Sequence, residues 1–381
     1  MSFFIYFINV ILLFLCFRSQ SKIELVILIY ILLYYVVYSI AHYNNIHIDV
    51  SHTNDTEENN FVFILVSYLF LIGYLFQFFL RKKEVLDSKF VFSAEKSIYI
   101  LDVLIVLLLL YELSLTQFNL LKGVYGNDTK FTYFFEYINI LFAIYAVTLR
   151  GIFNKKLVAF ILIHITLALF DGHRMMAISS IMMLALWYLY YIPKRLIPIV
   201  MIFFISAFLV FGLMRVGLEV DLISLLGVRG DSFNNHHGSL IYSCLSIIDF
   251  SQATDLYLRF IMSTEYTLSL FGSPYWLPED LKFTTNMSEY TYRPGGGMLP
   301  VFFYSFFGYF GALFSGILIS YFLSFGRQLD QRKLVPAFAL VALALMPHYF
   351  SYTPILIFKA VLATLIFELF ILFVPKSKII Y

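Results

Sequence analysis

The 381-residue sequence predicts an all-α polytopic integral membrane protein, and three observations carry that reading. Hydrophobic residues make up 61% of the chain and charged residues only 13%, against roughly a quarter charged in ordinary soluble domains. Apolar stretches close to the ~20 residues that a helix needs to cross a bilayer recur from end to end. Basic residues collect in alternate connections between those stretches, the pattern that the positive-inside rule gives a chain weaving across a membrane.

The candidate spans are 2–17, 24–43, 61–80, 98–116, 132–149, 157–170, 175–192, 196–213, 298–325, 334–350 and 354–375. They amount to about eleven helices in a single transmembrane domain, 1–381. The first, "MSFFIYFINVILLFLCF", lacks a basic leading region and a small-residue cleavage site, so it reads as a retained helix. The connections "RSQSK" (18–22), "RKK" (81–83), "RGIFNKK" (150–156), "PKR" (193–195), "RQLDQRK" (327–333) and the tail "PKSKIIY" fall on one side. They hold most of the 26 Lys and Arg. That side is read as cytoplasmic, with the N-terminus outside and the C-terminus inside.

The opposite, outer face receives "NNIHIDVSHTNDTEENN", "QFNLLKGVYGNDTK", the gap "DGHR" and the long segment 214–297. Within that segment "LISLLGV", "SLIYSCLSIIDF" and "DLYLRFIMSTEYTLSLF" are apolar with scattered charges, suited to amphipathic or re-entrant helices at the interface. The stretch "GSPYWLPEDLKFTTNMSEYTYRPGGGMLP" then turns irregular under its Pro, Gly and Asn. Cys16 and Cys244 are far apart and show no metal spacing. Walker, GxGxxG, HExxH and carboxylate-rich metal motifs are absent from the sequence, so a metal, a nucleotide cofactor or a nucleic-acid partner is not expected.

Three constellations could carry chemistry. Asp171, Gly172, His173 and Arg174 form a gap too short for a loop. Arg174 stands on the outer side against the local charge rule, at the start of a helix whose N-terminus already favours an anion. A guanidinium there makes a diphosphate or carboxylate clamp; the plainer alternative is snorkelling to lipid phosphates or pairing with Asp171. The second is "MRVGLEVDLISLLGVRGDSFNNHHGS", 214–239. Its Arg215 and Arg229 would return to within about 40° of each other on a continuous helix, although Gly217 and Gly227 oppose continuity. Asp231, His236 and His237 are its proton acceptors, His237 first. The third is "YRPGGGMLPVFFYSFFGYFGALFSG", 292–316, where Arg293 adds a cation and the glycines permit close backbone approach. Lys359 sits a few residues inside the last span, where snorkelling explains it.

A short outward Gly172-x-Arg174, a late outer loop "VRGDSFNNHHGS" and the helix start "GGGMLPVFFYSFFGYFGALF", in that order and sidedness, resemble the Wzy-type oligosaccharide repeat-unit polymerases of O-antigen and capsule assembly. The resemblance implies a GT-C-like, lipid-linked glycosyltransferase on the outer face of the bacterial inner membrane. It would move a growing glycan from undecaprenyl diphosphate onto an incoming lipid-linked repeat unit, without nucleotide sugar, cofactor or metal. A chain-length-regulating co-polymerase is the expected partner. On this view Arg174, Arg215, Arg229 and Arg293 hold the departing diphosphate, and His237, His236 or Asp231 takes the hydroxyl proton. O-antigen ligase is the rival of like chemistry. A flippase or transporter would instead require interrupted helices and charges deep in the bilayer, whereas the spans read as clean. A receptor or structural protein would use its arginines only on headgroups.

Overall fold

The computed structural model describes residues 2–19, 21–43, 56–76, 94–115, 132–149, 154–170, 174–188, 193–199, 239–268, 277–287, 289–290, 297–326, 339, 341–351 and 354–373. Among them the chain is helical and contains no strand. The helices are α1 (Ser2–Arg18), α2 (Lys22–Tyr43), α3 (Glu57–Leu75), α4 (Ala94–Leu115), α5 (Thr132–Thr148), α6 (Lys155–Phe170), α7 (Arg174–Tyr188), α8 (Ser239–Ala253), α9 (Leu256–Leu268), α10 (Phe283–Met287), α11 (Leu299–Gly326), α12 (Met346–Ser351) and α13 (Ile355–Phe373). Among the described residues three stretches are long and apolar enough to cross a membrane: Glu57–Leu75, Ile98–Leu115 and Leu299–Ser324. Shorter apolar helices accompany them at Phe3–Arg18, Tyr137–Ala146 and Ile355–Ile366. The span expected at 196–213 lies almost wholly outside the described residues.

Polar residues set the helix starts earlier than hydropathy alone places them. The Thr56 side chain accepts the amide of Asn59 at 3.1 Å, and Glu57 and Glu58 occupy the first turn of α3, where the helix dipole favours them. Asn154 Oδ1 accepts the amides of Lys156 and Leu157 and so opens α6. Asp255 does the same for Tyr257 at 2.8 Å, which divides α8 from α9.

The outer surfaces of these helices are greasy. On α1, Ile5, Ile8, Leu12 and Leu15 are buried while Phe3, Phe7, Val10, Phe14 and Phe17 are exposed. On α4, Leu101, Ile105 and Leu109 face inward while Val103, Leu107 and Leu110 face out. A helix apolar all round needs lipid on its outer face.

The chain forms two compact units: Met1–Leu80 with Leu189–Ser320 and Tyr349–Ile355, and Arg81–Tyr188 with Tyr321–His348 and Leu356–Tyr381. The first unit holds α1–α3, α8–α10 and most of α11. Its centre is aromatic: Phe70 meets Phe350 at 6.0 Å between ring centroids, and Phe283 meets Phe250 at 5.4 Å and Phe306 at 5.2 Å. The Lys194 ammonium donates to the carbonyl of Ser19, so two of the basic connections, 18–22 and 193–195, meet at one end of this unit. On α8, Cys244, Ile247, Ile248 and Phe250 are buried in the unit's core, and the Cys244 sulfur accepts the amide of Met298 at 3.2 Å. At the polar end of the segment, Lys282 donates to Glu279 and the Thr285 hydroxyl joins it at 2.9 Å. The lysine bond holds the Glu279 carboxyl below its ordinary range, so this clasp loosens only as pH falls through that lowered value.

The long helix α11 is not one clean span. Gly308 adopts φ 63° and ψ −155°, a conformation all but closed to other residues, and the chain bends back there. The Phe303 carbonyl lies 1.9 Å from where a Cβ of Gly311 would sit, and the Phe303 and Phe314 rings are 6.1 Å apart. Beyond the break, Gly316 lies against Phe70 and Tyr74 of α3, while Gly73 of α3 lies against Leu313 and Ile317. A Cβ on Gly73 would come within 2.1 Å of the Leu313 carbonyl oxygen, and one on Gly316 within 2.0 Å of that of Phe70. Small residues on both helices thus bring the two backbones into contact.

Backbone atoms cannot swing aside as a side chain can. Gly73→Ala is therefore expected to lower stability by about 1–3 kcal/mol, read as a fall in thermal midpoint of the detergent-purified protein. A substitution at exposed Ile72 of the same helix should leave the midpoint unchanged.

Candidate functional site

Arg174 is the residue of the seven candidates whose backbone is described, and it is the first residue of α7. The gap 171–173 therefore ends with the guanidinium-bearing residue at the helix's positive end, where the first four amides lack helical partners. Arg215, Arg229, Asp231, His236, His237 and Arg293 lie outside the described residues, as does Trp276. Of the three glycines beside Arg293, Gly297 is described. A Cβ there would come within 2.6 Å of the Ile247 side chain and 2.9 Å of the Phe302 ring, so close packing accounts for it.

Below Arg174 the second unit contains a polar cluster that the sequence reading passed over. Helices α4, α5, α6 and α7 contribute one residue each: Glu112, Asn139, His164 and Ser180. His164 Nδ1 stands 2.8 Å from Glu112 Oε2, with side-chain exposures of 0% and 2%. The Asn139 amide nitrogen is 3.3 Å from His164 Nε2, and the Ser180 hydroxyl donates to Asn139 Oδ1 at 2.5 Å. The Phe142 ring closes one side of the imidazole at 5.6 Å.

Each residue lies two turns or less from the same end of its helix. Ser180 is six residues beyond the start of α7 and His164 six before the end of α6, about 9 Å along the axis at 1.5 Å per residue. Asn139 is seven residues into α5 and Glu112 three from the end of α4. The opposite end of the same four-helix group carries a separate set. There the Tyr145 hydroxyl donates to Asp102 at 2.7 Å and Lys156 lies 3.7 Å from that carboxylate.

Ionisable residues inside the spans correct the expectation of charge only at the outer rim. Lys359, expected to snorkel, is 2% exposed, with its ammonium 5.9 Å from the centre of the Tyr137 ring. In the first unit Arg259, on the face of α9 turned to α11, is 7% exposed. Its guanidinium donates to the carbonyls of Ser305 at 2.9 Å and Tyr304 at 3.4 Å and lies 5.9 Å from the Tyr304 ring centre. Those carbonyls end the first half of α11, where helical donors run out before Gly308 and the dipole is negative. A buried arginine thus satisfies the broken helix.

Sequence alone offered a signal for the cluster. Glu112 and His164 fall within spans drawn from hydropathy, and an ionisable residue inside a span marks a functional candidate. The pairing of four helices that brings Asn139 and Ser180 to the imidazole left no local trace. Comparisons with protein-family models, with curated proteins and with solved structures found no match.

A buried pair is costly to halve and cheaper to remove whole. Glu112→Leu alone is expected to destabilise the protein by about 3–5 kcal/mol, and the double change Glu112→Leu with His164→Leu to recover most of that loss. Equilibrium unfolding of the single and double variants in mixed micelles, treated as a double-mutant cycle, measures it. Additive losses would show that the two side chains do not interact.

Proposed function

We propose that the chain is a membrane glycosyltransferase that polymerises undecaprenyl-diphosphate-linked oligosaccharide repeat units at the outer face of a bacterial inner membrane. The observation that carries this reading is the position of Arg174 as the first residue of α7. A helix N-terminus and a guanidinium at one point favour a diphosphate over any neutral group. The order of Gly172-x-Arg174, "VRGDSFNNHHGS" and "GGGMLPVFFYSFFGYFGALF" along the chain supports it through the polymerase resemblance.

In this mechanism the glycosyl–diphosphate bond breaks as a sugar hydroxyl of the incoming unit attacks. Arg174, Arg215, Arg229 and Arg293 stabilise the charge that grows on the departing lipid diphosphate. His237, His236 or Asp231 accepts the hydroxyl proton. The lipid tails stay among the apolar helices, and a chain-length regulator acts alongside. O-antigen ligation is the same transfer with lipid A core as acceptor.

A transport reading, as a flippase for the same lipid-linked oligosaccharide, has its own supporting observations. The break at Gly308 and the buried Glu112, His164, Lys359 and Arg259 are features that transporters use at membrane depth.

One genetic experiment separates these readings. The gene is deleted in its host and restored as wild type, Arg174→Ala or Arg174→Lys at equal membrane abundance, and surface glycan is resolved by gel. Polymerase activity predicts a single repeat unit without a ladder in the deletion and in Arg174→Ala. Partial recovery is expected with Lys, a point charge lacking the two-pronged geometry. Lipid-linked polymer that never reaches lipid A core would identify a ligase. Loss of all surface glycan with lipid-linked units retained on the inner leaflet would identify a flippase. Unchanged glycan on deletion would overturn all three.

A further inference from the structure

Two basic connections of the first unit are joined where its apolar surface ends. At the close of α1 the Ser19 carbonyl lies at the negative end of the helix dipole, where a cation is favoured, and it accepts from the Lys194 ammonium. That bond, with Ile197 buried at 1% exposure, anchors a single 3₁₀ turn, Lys194–Leu196, against the end of α1. The side chains left outside are cations and large apolar groups together. Arg18, Lys194 and Arg195 are exposed, and so are Phe14, Phe17, Leu196 and Ile199.

On α1 the two kinds of residue share one face. Phe7, Val10, Phe14 and Phe17 recur at spacings of three and four, so they form an apolar stripe along the helix. Arg18 ends the stripe, with its guanidinium 5.8 Å from the centre of the Phe14 ring. The local charge has one sign. The sequence holds no Asp or Glu in 1–23 or in 172–218, and Glu24, just beyond in α2, is buried at 2% exposure. Lys22 adds a further cation to the first connection.

We propose that this rim is a binding site for an anionic phospholipid. Arg18 and Arg195 hold the headgroup phosphate, each with a fork of N–H donors matched to its oxygens. Lys194, engaged by Ser19, positions the turn that carries Arg195. The hydrocarbon of the lipid lies on the Phe7–Val10–Phe14–Phe17 stripe and against Leu196 and Ile199. A zwitterionic lipid offers the same phosphate together with an ammonium of its own, which the exposed cations repel, so the rim selects net negative charge. A soluble phosphate lacks the chains and gains nothing from the stripe.

Native mass spectrometry of the full chain, released from neutral detergent after addition of a probe, tests the proposal. The probes are phosphatidylglycerol, phosphatidylcholine with the same chains, and glycerol 3-phosphate. The expected result is a first phosphatidylglycerol adduct that is tighter than any formed with the other two. Arg18→Gln and Arg195→Gln should each weaken that adduct about fivefold, and the double change about thirtyfold. Lys155→Gln, at an exposed cation of the second unit, should leave it as it was. All four variants should keep the wild-type thermal midpoint in neutral detergent, because each side chain is exposed; a lost adduct then reads as lost binding. Equal affinity for the choline lipid, or a double variant that binds as wild type does, would overturn the proposal. So would an equal loss in Lys155→Gln, the mark of net charge alone. Glycerol phosphate as avid as the lipid would overturn the lipid assignment in favour of a soluble phosphate.

Discussion

In hydrocarbon no water waits to receive an unpaired polar group, so a polar side chain inside the units is costly unless the chain's own atoms partner it. That constraint explains the polar contacts better than any balance of attractions. Ser39, Ser67, Thr148, Thr166, Ser251 and Thr364 each return a hydroxyl to the carbonyl four residues earlier. A hydroxyl on an apolar helix finds its nearest partner there. Where a side chain is too demanding for its own helix, partners come from others, and Glu112, Asn139, His164 and Ser180 draw four helices together for that reason.

The same constraint governs the break at Gly308. A bent helix opens carbonyls that would otherwise be bonded, and an apolar setting allows a bend only where a donor covers them. Arg259 is that donor, held by the face of Tyr304 as well as by the carbonyls. The glycine and the arginine are nearly fifty residues apart in sequence, and each explains the other. Glycine supplies the backbone freedom, and the guanidinium makes that freedom tolerable inside the unit.

Much of the helical layout was legible in the sequence because hydropathy over twenty residues integrates many small transfer energies. The boundaries moved where one polar side chain outweighed that sum, as Thr56 and Asn154 did. The meeting of 18–22 with 193–195 in the first unit agrees with the charge pattern that grouped them. What hydropathy could not convey was partnership. It recorded Phe250 and Cys244 as apolar without saying which neighbours in the unit's core they would meet. It placed Gly308 in a span, although only φ and ψ reveal the reversal there. Of the candidate site, Arg174 was legible from charge placement; the Glu112–His164 pair needed the packing of α4 against α6, which no short window contains.

The contact of Gly73 with α11 has a consequence for the making of the protein. Its two helices are separated by roughly 240 residues of chain, which a ribosome adding 5–20 residues per second takes on the order of ten to fifty seconds to synthesise. For that interval the surface at Gly73 lacks the late helix whose backbone covers it in the finished fold. The final seating of that helix then belongs to translation as much as to folding.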